Sequence, residues 1–239
     1  CGALDCNNEC FGGAFIDACS ICSGGSTGLT PAAPTDTNGD DIPDACNGPD
    51  LMIDADYLKQ HVRIENFYVA PGDCYIQEGC VTGSGNRKVL RFATMVANVG
   101  NQDLAIGEPG DEGWTYNACH DHYHFDDYAF YELFTQQGQQ ITTVGYKNGW
   151  CVMDLTGYTK PDRQCRRYTC SNQGISAGCA DIYASTLDCQ WIDITHLPDG
   201  IYTVWVTTNP DRDLYELKRS NNAAEMDVEI SGFEVSVID

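Results

Sequence analysis

Basic residues are scarce in this chain of 239 residues: 13 Lys plus Arg stand against 35 Asp plus Glu, which gives a formal net charge of −22. A surface this negative repels a phosphate backbone, so nucleic acid is excluded as a partner. Long hydrophobic runs are also lacking, and no apolar stretch approaches the ~20 residues of a membrane helix, so we expect no membrane span. The sequence contains no Asn-x-Ser/Thr, which excludes N-linked glycosylation.

Cysteine, by contrast, is abundant, and the chain has 14 of them. An even number of scattered cysteines is typical of disulfide-bonded proteins in oxidising compartments, so we expect a secreted, extracellular protein. The sequence begins at Cys1 rather than Met, which favours a mature product whose leader was removed. Lipidation of Cys1 is the alternative, but it would leave an odd number of cysteines for pairing.

Two regions are predicted: a Cys/Gly-rich arm over residues 1–48 and a second domain over residues 49–239. Residues 1–50 contain six Cys, eight Gly and eight acidic residues, but no Lys or Arg and almost no strand-length apolar run. Such a segment cannot bury a core of its own, so its order must come from disulfides, bound ions or docking on a larger surface. Cys19 and Cys22 have the spacing of zinc ligands, but no second close pair accompanies them, and disulfides are favoured.

A candidate calcium site lies near the end of the arm. Oxygen-bearing side chains alternate around a glycine turn, and oxygen ligands at this spacing suit Ca²⁺. The stretch resembles a thrombospondin type 3 calcium repeat, and the residues that match its ligand positions are Asp36, Asn38, Asp40 and Asp44. A solvated acidic loop is the alternative interpretation.

From Pro49 onward the sequence consists of short runs rich in β-branched and aromatic residues, bounded by turn-forming residues. Residues 201–207 alternate with period two, as a sheet with one buried face requires. These patterns predict a mainly β fold, a disulfide-tied β-sandwich with long loops, preceded by the small irregular Cys-rich segment. The predicted strands are 62–69, 89–99, 128–135, 141–146, 201–208, 225–230 and 233–238.

Three of the five histidines fall within five residues, at His120, His122 and His124. In a strand, positions i, i+2 and i+4 share one face, so three imidazoles would converge on one metal ion. Imidazole ligation with open positions suits Cu(II) or catalytic Zn. The alternative is a chance alternation of solvent-exposed histidines.

The histidine segment, Trp114 to Asp127, resembles the copper-binding segment of the lysyl oxidases, which are secreted copper amine oxidases acting on peptidyl lysine. Further stretches occur in the family's order, and the most specific is the octet Asp-Cys-Gln-Trp-Ile-Asp-Ile-Thr at 188–195. The resemblance covers about residues 49–230. The other matching stretches are 49–51, 86–92, 173–176, 209–210 and 221–222.

The resemblance implies a role for each matched residue. His120, His122 and His124 would bind copper. Lys147 and Tyr183 would form lysine tyrosylquinone, the cofactor that condenses with a primary amine. Asp127 would be the base that removes the α-proton, with its neighbour Asp126 as the alternative.

The resemblance also implies a disulfide pattern after residue 50, while the six N-terminal cysteines pair among themselves. Cys119 would then be a structural residue rather than a copper ligand. The implied pairs are Cys74–Cys80, Cys119–Cys170, Cys151–Cys165 and Cys179–Cys189.

Two functions follow as hypotheses. The first is a copper-dependent amine oxidase whose negative surface attracts a primary amine or lysine-rich protein. The second is a structural subunit of an extracellular filament or matrix, built on the same fold, in which the terminal strand 233–238 pairs with a neighbouring subunit.

Overall fold

The computed structural model describes residues 4–37, 39, 42–110, 113–119, 122–125, 128–141, 146–147 and 151–238, with the backbone alone at 122, 146 and 147. The helices are α1 (Ala55–Gln60), α2 (Cys74–Gln77) and a 3₁₀ turn (Asp162–Gln164). No helix in these ranges has the length and apolar character needed to cross a membrane. In the first half of the chain the strands are β1 (Ala14–Ile16), β2 (Cys22–Gly24), β3 (Leu51–Ile53), β4 (Arg63–Val69), β5 (Gly85–Arg91), β6 (Thr94–Asn98), β7 (Leu104–Gly107), β8 (Trp114–Asn117) and β9 (His122–Phe125). In the second half they are β10 (Ala129–Thr135), β11 (Gln140–Ile141), β12 (Tyr146–Lys147), β13 (Thr156–Gly157), β14 (Gln173–Ile175), β15 (Cys179–Tyr183), β16 (Trp191–Asp193), β17 (Gly200–Thr208), β18 (Ala223–Ser231) and β19 (Glu234–Ile238).

The predicted mainly β fold is confirmed. Within the described ranges, the largest sheet has the strand order β11-β10-β17-β18-β19, and β12 also pairs with β10. A four-stranded sheet has the order β13-β15-β6-β3, and a three-stranded sheet has the order β16-β5-β4. These sheets share one buried core, which makes the fold a sandwich. Core residues from the different strands include Leu51, Leu90, Val96, Leu133, Tyr183, Ile192, Val204 and Met226.

The alternation predicted for residues 201–207 is confirmed in β17. Tyr202, Val204 and Val206 are buried, whereas the residues between them are partly exposed. In β18 the apolar residues likewise face the core, and the acidic residues between them are exposed. Since a strand presents successive side chains to opposite faces, each of these strands has one apolar face and one polar face.

One predicted strand is wrong in its extent, because 89–99 is two strands, β5 and β6. The chain leaves the three-stranded sheet after Arg91 and joins the four-stranded sheet at Thr94. Phe92 and Ala93, which connect the strands, are buried. A connection buried in the core is as apolar as a strand, so the sequence pattern hides the break.

The end of the arm contacts the loop that follows β6. Asn101 accepts a hydrogen bond from the backbone amide of Gly48 at 2.9 Å and donates one to the carbonyl of Cys46 at 3.1 Å. A Cβ atom at Gly100 would overlap the backbone of Gly48 and Asp50, so the close approach requires glycine there. The Cys19–Cys46 disulfide links this contact to the rest of the arm.

The four disulfide pairs implied by the resemblance are wrong. Cys119 is bonded, as expected, but to Cys74 rather than to Cys170. Strand pairing brings together cysteines that are distant in sequence, as in the buried bond between Cys80 and Cys189 across 109 residues. The pairs after residue 50 are Cys74–Cys119, Cys80–Cys189, Cys151–Cys170 and Cys165–Cys179.

Disulfides also hold the arm, as expected. Its described pairs are Cys6–Cys22 and Cys19–Cys46, and Cys10 is bonded as well. No cysteine among the described residues is free. This bonding fits an extracellular protein.

The terminal strand β19 is confirmed close to its predicted position. It pairs with β18 and is the outermost strand of the largest sheet. Val235 and Val237 pack against the core. Its other edge pairs with no strand in the described part of the chain. The predicted strand 141–146 lies mostly outside the described residues, since β11 ends at Ile141 and β12 begins at Tyr146.

Candidate active site

The histidine segment forms a hairpin of β8 and β9, which we call the histidine hairpin. Trp114 pairs with Phe125 and Tyr116 pairs with Tyr123, and in both pairs the ring centroids are 5.3 Å apart. These aromatic pairs occupy one face of the hairpin. Positions 122 and 124 therefore belong to the opposite face, because side chains alternate along a strand.

Two of the three predicted copper ligands lie in β9. The register places His122 opposite Asn117 and His124 opposite Thr115. The His124 side chain is buried, with 3% of its surface exposed. His120, Asp126 and Asp127 lie outside the described residues. Two positions of one strand face, two residues apart, fit imidazole ligation of a copper ion, for which neutral imidazole is a suitable ligand.

The turn of the hairpin is anchored next to the histidines. The backbone amide of Cys119 donates to the Asn117 side-chain oxygen at 2.8 Å. The disulfide of Cys119 with Cys74 ties the same turn to the start of α2. These two restraints hold the backbone that leads into the histidine segment.

Each of the two predicted cofactor residues has a neighbour at or next to the start of β10. Lys147 in β12 pairs with Ala129, the first residue of β10. The preceding residue, Tyr128, has its ring centroid 6.2 Å from that of Tyr183. Tyr183 is the last residue of β15 and is 2% exposed. The backbone of position 147 therefore pairs with Ala129, and the ring of Tyr183 contacts that of Tyr128, the residue before it.

The surroundings of Tyr183 keep its phenol neutral. Burial raises the pKa of Tyr183 well above its ordinary value, and the charge of Asp181 raises it further. The carboxylate of Asp181 accepts hydrogen bonds from the backbone amides of Ile182, at 2.9 Å, and Met153, at 3.2 Å. A cation beside Tyr183 would oppose this shift, because positive charge favours the phenolate.

A cavity of about 440 Å³ adjoins Tyr183. Its walls are largely apolar and include the Cys151–Cys170 disulfide. Asp181 is the lining residue with a charged side chain. Other lining residues are Met153, Leu155, Ile182 and Leu187.

Sequence reasoning did not single out Asp181. A signal was present, because Asp181 precedes Tyr183 by two residues and strand alternation puts both on one face. A carboxylate in an otherwise apolar strand is costly to bury unless it is hydrogen-bonded, as Asp181 is here.

A second network of buried polar groups, also not predicted, lies where the arm joins the domain. Glu216 accepts hydrogen bonds from Asn209 at 2.5 Å and from Asn222 at 2.6 Å on one oxygen, and from the amide of Leu51 at 3.1 Å on the other. Burial raises the pKa of the nearby Asp50 to about 6. A hydrogen bond from Asn221 opposes that rise, and the charge of Glu216 adds to it.

The candidate calcium loop is described in part. Gly39 donates its amide to Asp36 at 2.8 Å. Both carboxylate oxygens of Asp44 accept hydrogen bonds from Thr37, at 3.1 Å from the amide and 2.8 Å from the hydroxyl. Asn38 and Asp40 lie outside the described residues. The described carboxylates thus accept hydrogen bonds from within their own loop.

Comparison with known proteins identifies relatives for most of the chain. The lysyl oxidase family model matches residues 49–239. The chain is 32% identical over 205 residues to lysyl oxidase homolog 2 of Rattus norvegicus, covering 80% of this chain and 26% of that protein. It is 33% identical over 200 residues to lysyl oxidase homolog 3B of Danio rerio, covering 79% and 24% respectively. It is 32% identical over 199 residues to protein-lysine 6-oxidase of Gallus gallus, covering 77% and 46%. The chain therefore spans about a quarter to a half of the length of these relatives.

Proposed function

This chain belongs to the lysyl oxidase family, and from that premise we propose that it is a secreted, copper-dependent amine oxidase. Its substrate would be a primary amine such as peptidyl lysine, converted to an aldehyde with uptake of O₂ and water and release of ammonia and H₂O₂. The observation that carries the proposal is the histidine hairpin, where β9 presents positions 122 and 124 on one face. We assign the activity to residues 49–239 and treat residues 1–48 as an attached arm.

His120, His122 and His124 would hold the copper ion. The burial of His124 supports this assignment, because a ligand shielded from water keeps its orientation and the metal site dry. The aromatic pairs on the other face stiffen the hairpin, and the Cys74–Cys119 disulfide restrains its turn.

Lys147 and Tyr183 would form the quinone. When bound, copper would supply the oxidation of the Tyr183 ring by O₂, and the resulting lysine tyrosylquinone would supply an electrophilic carbonyl for the amine. The pairing is supported by their neighbours, because Lys147 pairs with Ala129, the ring of Tyr183 lies 6.2 Å from that of Tyr128, and Tyr128 and Ala129 are adjacent in sequence. Burial raises the pKa of the Tyr183 phenol further, and a bound cation would lower it.

We assign the base that removes the substrate α-proton to Asp127, with Asp126 as the alternative. Both follow the histidine hairpin directly in sequence. The net charge of −22 favours encounter with cationic amines over anionic ones.

A peptide map of copper-loaded protein tests the cofactor. We expect one crosslinked peptide that contains both Lys147 and Tyr183, with the absorbance of a quinone. Tyr183→Phe should yield two separate peptides. Tyr131→Phe is the matched control, because it also removes one buried phenol, and it should retain the link. Two unmodified peptides from copper-loaded wild-type protein would overturn the assignment.

A second measurement tests the metal. His122→Ala should abolish copper binding and amine-dependent H₂O₂ release, while the disulfides and sheets keep the domain folded. His196→Ala, outside the histidine hairpin, is the control and should leave both unchanged. Unchanged copper content in His122→Ala would show that the metal is held elsewhere.

A structural role in a filament or matrix is the second candidate. The observation that favours it is the outermost position of β19, whose second edge pairs with no strand in the described part of the chain. Deletion of residues 232–239 should abolish any higher-order assembly seen by light scattering. The deletion should also lower the melting temperature, because Val235 and Val237 pack on the core. A strictly monomeric wild-type protein at high concentration, with Ca²⁺ present, would refute this role.

A further inference from the structure

On the outer face of the largest sheet, acidic and aromatic side chains alternate across neighbouring strands. Glu132 in β10 pairs with Trp205 in β17, and Trp205 pairs with Glu225 in β18. Neighbouring strands are about 4.8 Å apart, so the two carboxylates flank the indole at one strand spacing on either side. The next row, Phe134, Thr203 and Asp227, repeats the combination of aromatic and acid.

The first row, with Phe134 and Thr203 of the second, lines a groove of about 350 Å³, which we call the acidic groove. The indole of Trp205 is half-buried, and its Nε1 donates to the hydroxyl of Thr207 at 2.9 Å, which restrains the orientation of the ring. The groove therefore has an aromatic floor of fixed orientation between acidic walls. Its lining includes Glu132, Phe134, Thr203, Trp205 and Glu225.

The negative charge of the groove has no partner of opposite sign within the described ranges. The contacts of its carboxylates are with neutral groups. Gln140 donates to Glu132 at 2.8 Å, and Thr203 donates at 2.6 Å to Asp227, which lies beside the groove. No lysine or arginine in the described part of the chain forms an ion pair with Glu132, Glu225 or Asp227.

The combination of an indole and flanking carboxylates determines which kind of molecule the groove can bind. An anion would be repelled, and a purely apolar occupant would leave the carboxylates desolvated and unpaired. A cation over the indole is attracted by the negative face of the ring and by both flanking carboxylates. The stem of a lysine side chain would also cover the apolar surface of Trp205 and Phe134.

We propose that the acidic groove is a docking site for a lysine side chain carried by an extended polypeptide. The site is separate from the histidine hairpin, and it binds without copper or quinone. It would hold a cationic protein segment against the sheet, and it does not depend on the proposed amine oxidation.

Binding of a short peptide to copper-free protein tests the proposal. The probe is acetyl-Gly-Lys-Gly-Lys-Gly-amide, and its counterpart has both lysines acetylated. We expect the lysine peptide to quench Trp205 fluorescence and to give a dissociation constant by calorimetry that weakens with salt. The acetylated peptide should bind at least about fivefold more weakly, because it lacks the charge.

Two double variants with the same change of net charge separate the groove from general electrostatic attraction. Glu132→Gln with Glu225→Gln removes the flanking carboxylates and should weaken binding about five- to tenfold. Glu229→Gln with Glu234→Gln changes exposed acids of β18 and β19 that do not line the groove, and should change binding less than twofold. Trp205→Leu should abolish the quench, with circular dichroism and melting temperature checking the fold.

Three outcomes would overturn the proposal. The first is equal weakening in the two double variants, which would mean non-specific charge attraction. The second is equal binding of the acetylated peptide, which would mean an apolar groove. The third is no binding at millimolar peptide. Since the protein carries no copper in this experiment, failure here leaves the oxidase proposal intact, and loss of oxidase activity leaves this proposal intact.

Discussion

The arm and the domain offset the cost of ordering a chain in different ways. In the domain, large apolar side chains such as Phe92 and Leu133 are fully buried. In the arm, Phe11 is 81% exposed and Phe15 is 53% exposed, and order comes from disulfides. Ordering a residue costs about 1–2 kcal/mol, so a segment without a core needs covalent links or an external surface. One sequence can therefore contain both solutions.

The largest expected difference in the free energy of unfolding comes from replacing a phenylalanine with alanine in each region. Phe92→Ala should lower the free energy of unfolding by about 3–5 kcal/mol, because it leaves a cavity and removes the contact with Tyr131, whose ring centroid is 4.9 Å away. Phe11→Ala should change it by less than about 0.5 kcal/mol, because its side chain is already exposed. Chemical denaturation followed by tryptophan fluorescence measures both. Equal effects would show that the arm also has a core.

The next effect comes from removing the disulfide that anchors the arm. Cys19→Ala with Cys46→Ala opens a loop of 27 residues, and the entropy model assigns such a bond about 3.5 kcal/mol. We expect hydrogen exchange to accelerate in residues 4–46 while protection in β17 and β18 stays unchanged. Loss of protection in those strands would mean that the arm supports the sheet.

At the junction of the two regions we expect a smaller effect, a dependence of the free energy of unfolding on pH. The pKa of Asp50 is raised to about 6, so the folded protein binds this proton more tightly than the unfolded chain does. The free energy of unfolding should therefore fall as the pH rises from about 4 to about 6, by at most about 3 kcal/mol. Asp50→Asn should flatten this part of the profile, whereas Asp227→Asn, an exposed acid, should not. An identical profile in Asp50→Asn would assign the dependence to another group.

The smallest effect is expected from calcium removal. A Ca²⁺-selective chelator should increase hydrogen exchange around residues 36–44 and leave the domain folded, because the sheets have their own core. Asp36→Asn with Asp44→Asn should make the loop insensitive to the chelator. Unchanged exchange in wild-type protein on chelation would reduce the segment to an ordinary acidic loop.

Local patterns were sufficient to predict much of the fold. β17 follows from period-two alternation, because burial of one sheet face imposes that period directly on the sequence. The break between β5 and β6 could not be predicted, because Phe92 and Ala93 are as apolar as the strands they connect. The candidate site likewise has one part that could be predicted from the sequence and one part that could not. The histidine spacing is local and visible, whereas the proximity of Tyr183 to Tyr128 depends on how two sheets pack.

The mainly β class, the dependence of the arm on disulfides, and membership of the lysyl oxidase family can be recognised from the sequence alone. Alternation, cysteine content and an ordered set of specific motifs are all written along the chain. The folded structure was needed to show which cysteines pair, that Glu216 joins Leu51, Asn209 and Asn222, and that Glu132 and Glu225 flank Trp205. Each of these depends on strand order and register. Residues far apart in sequence become neighbours only when the sheets assemble, and no local pattern specifies which strands will meet.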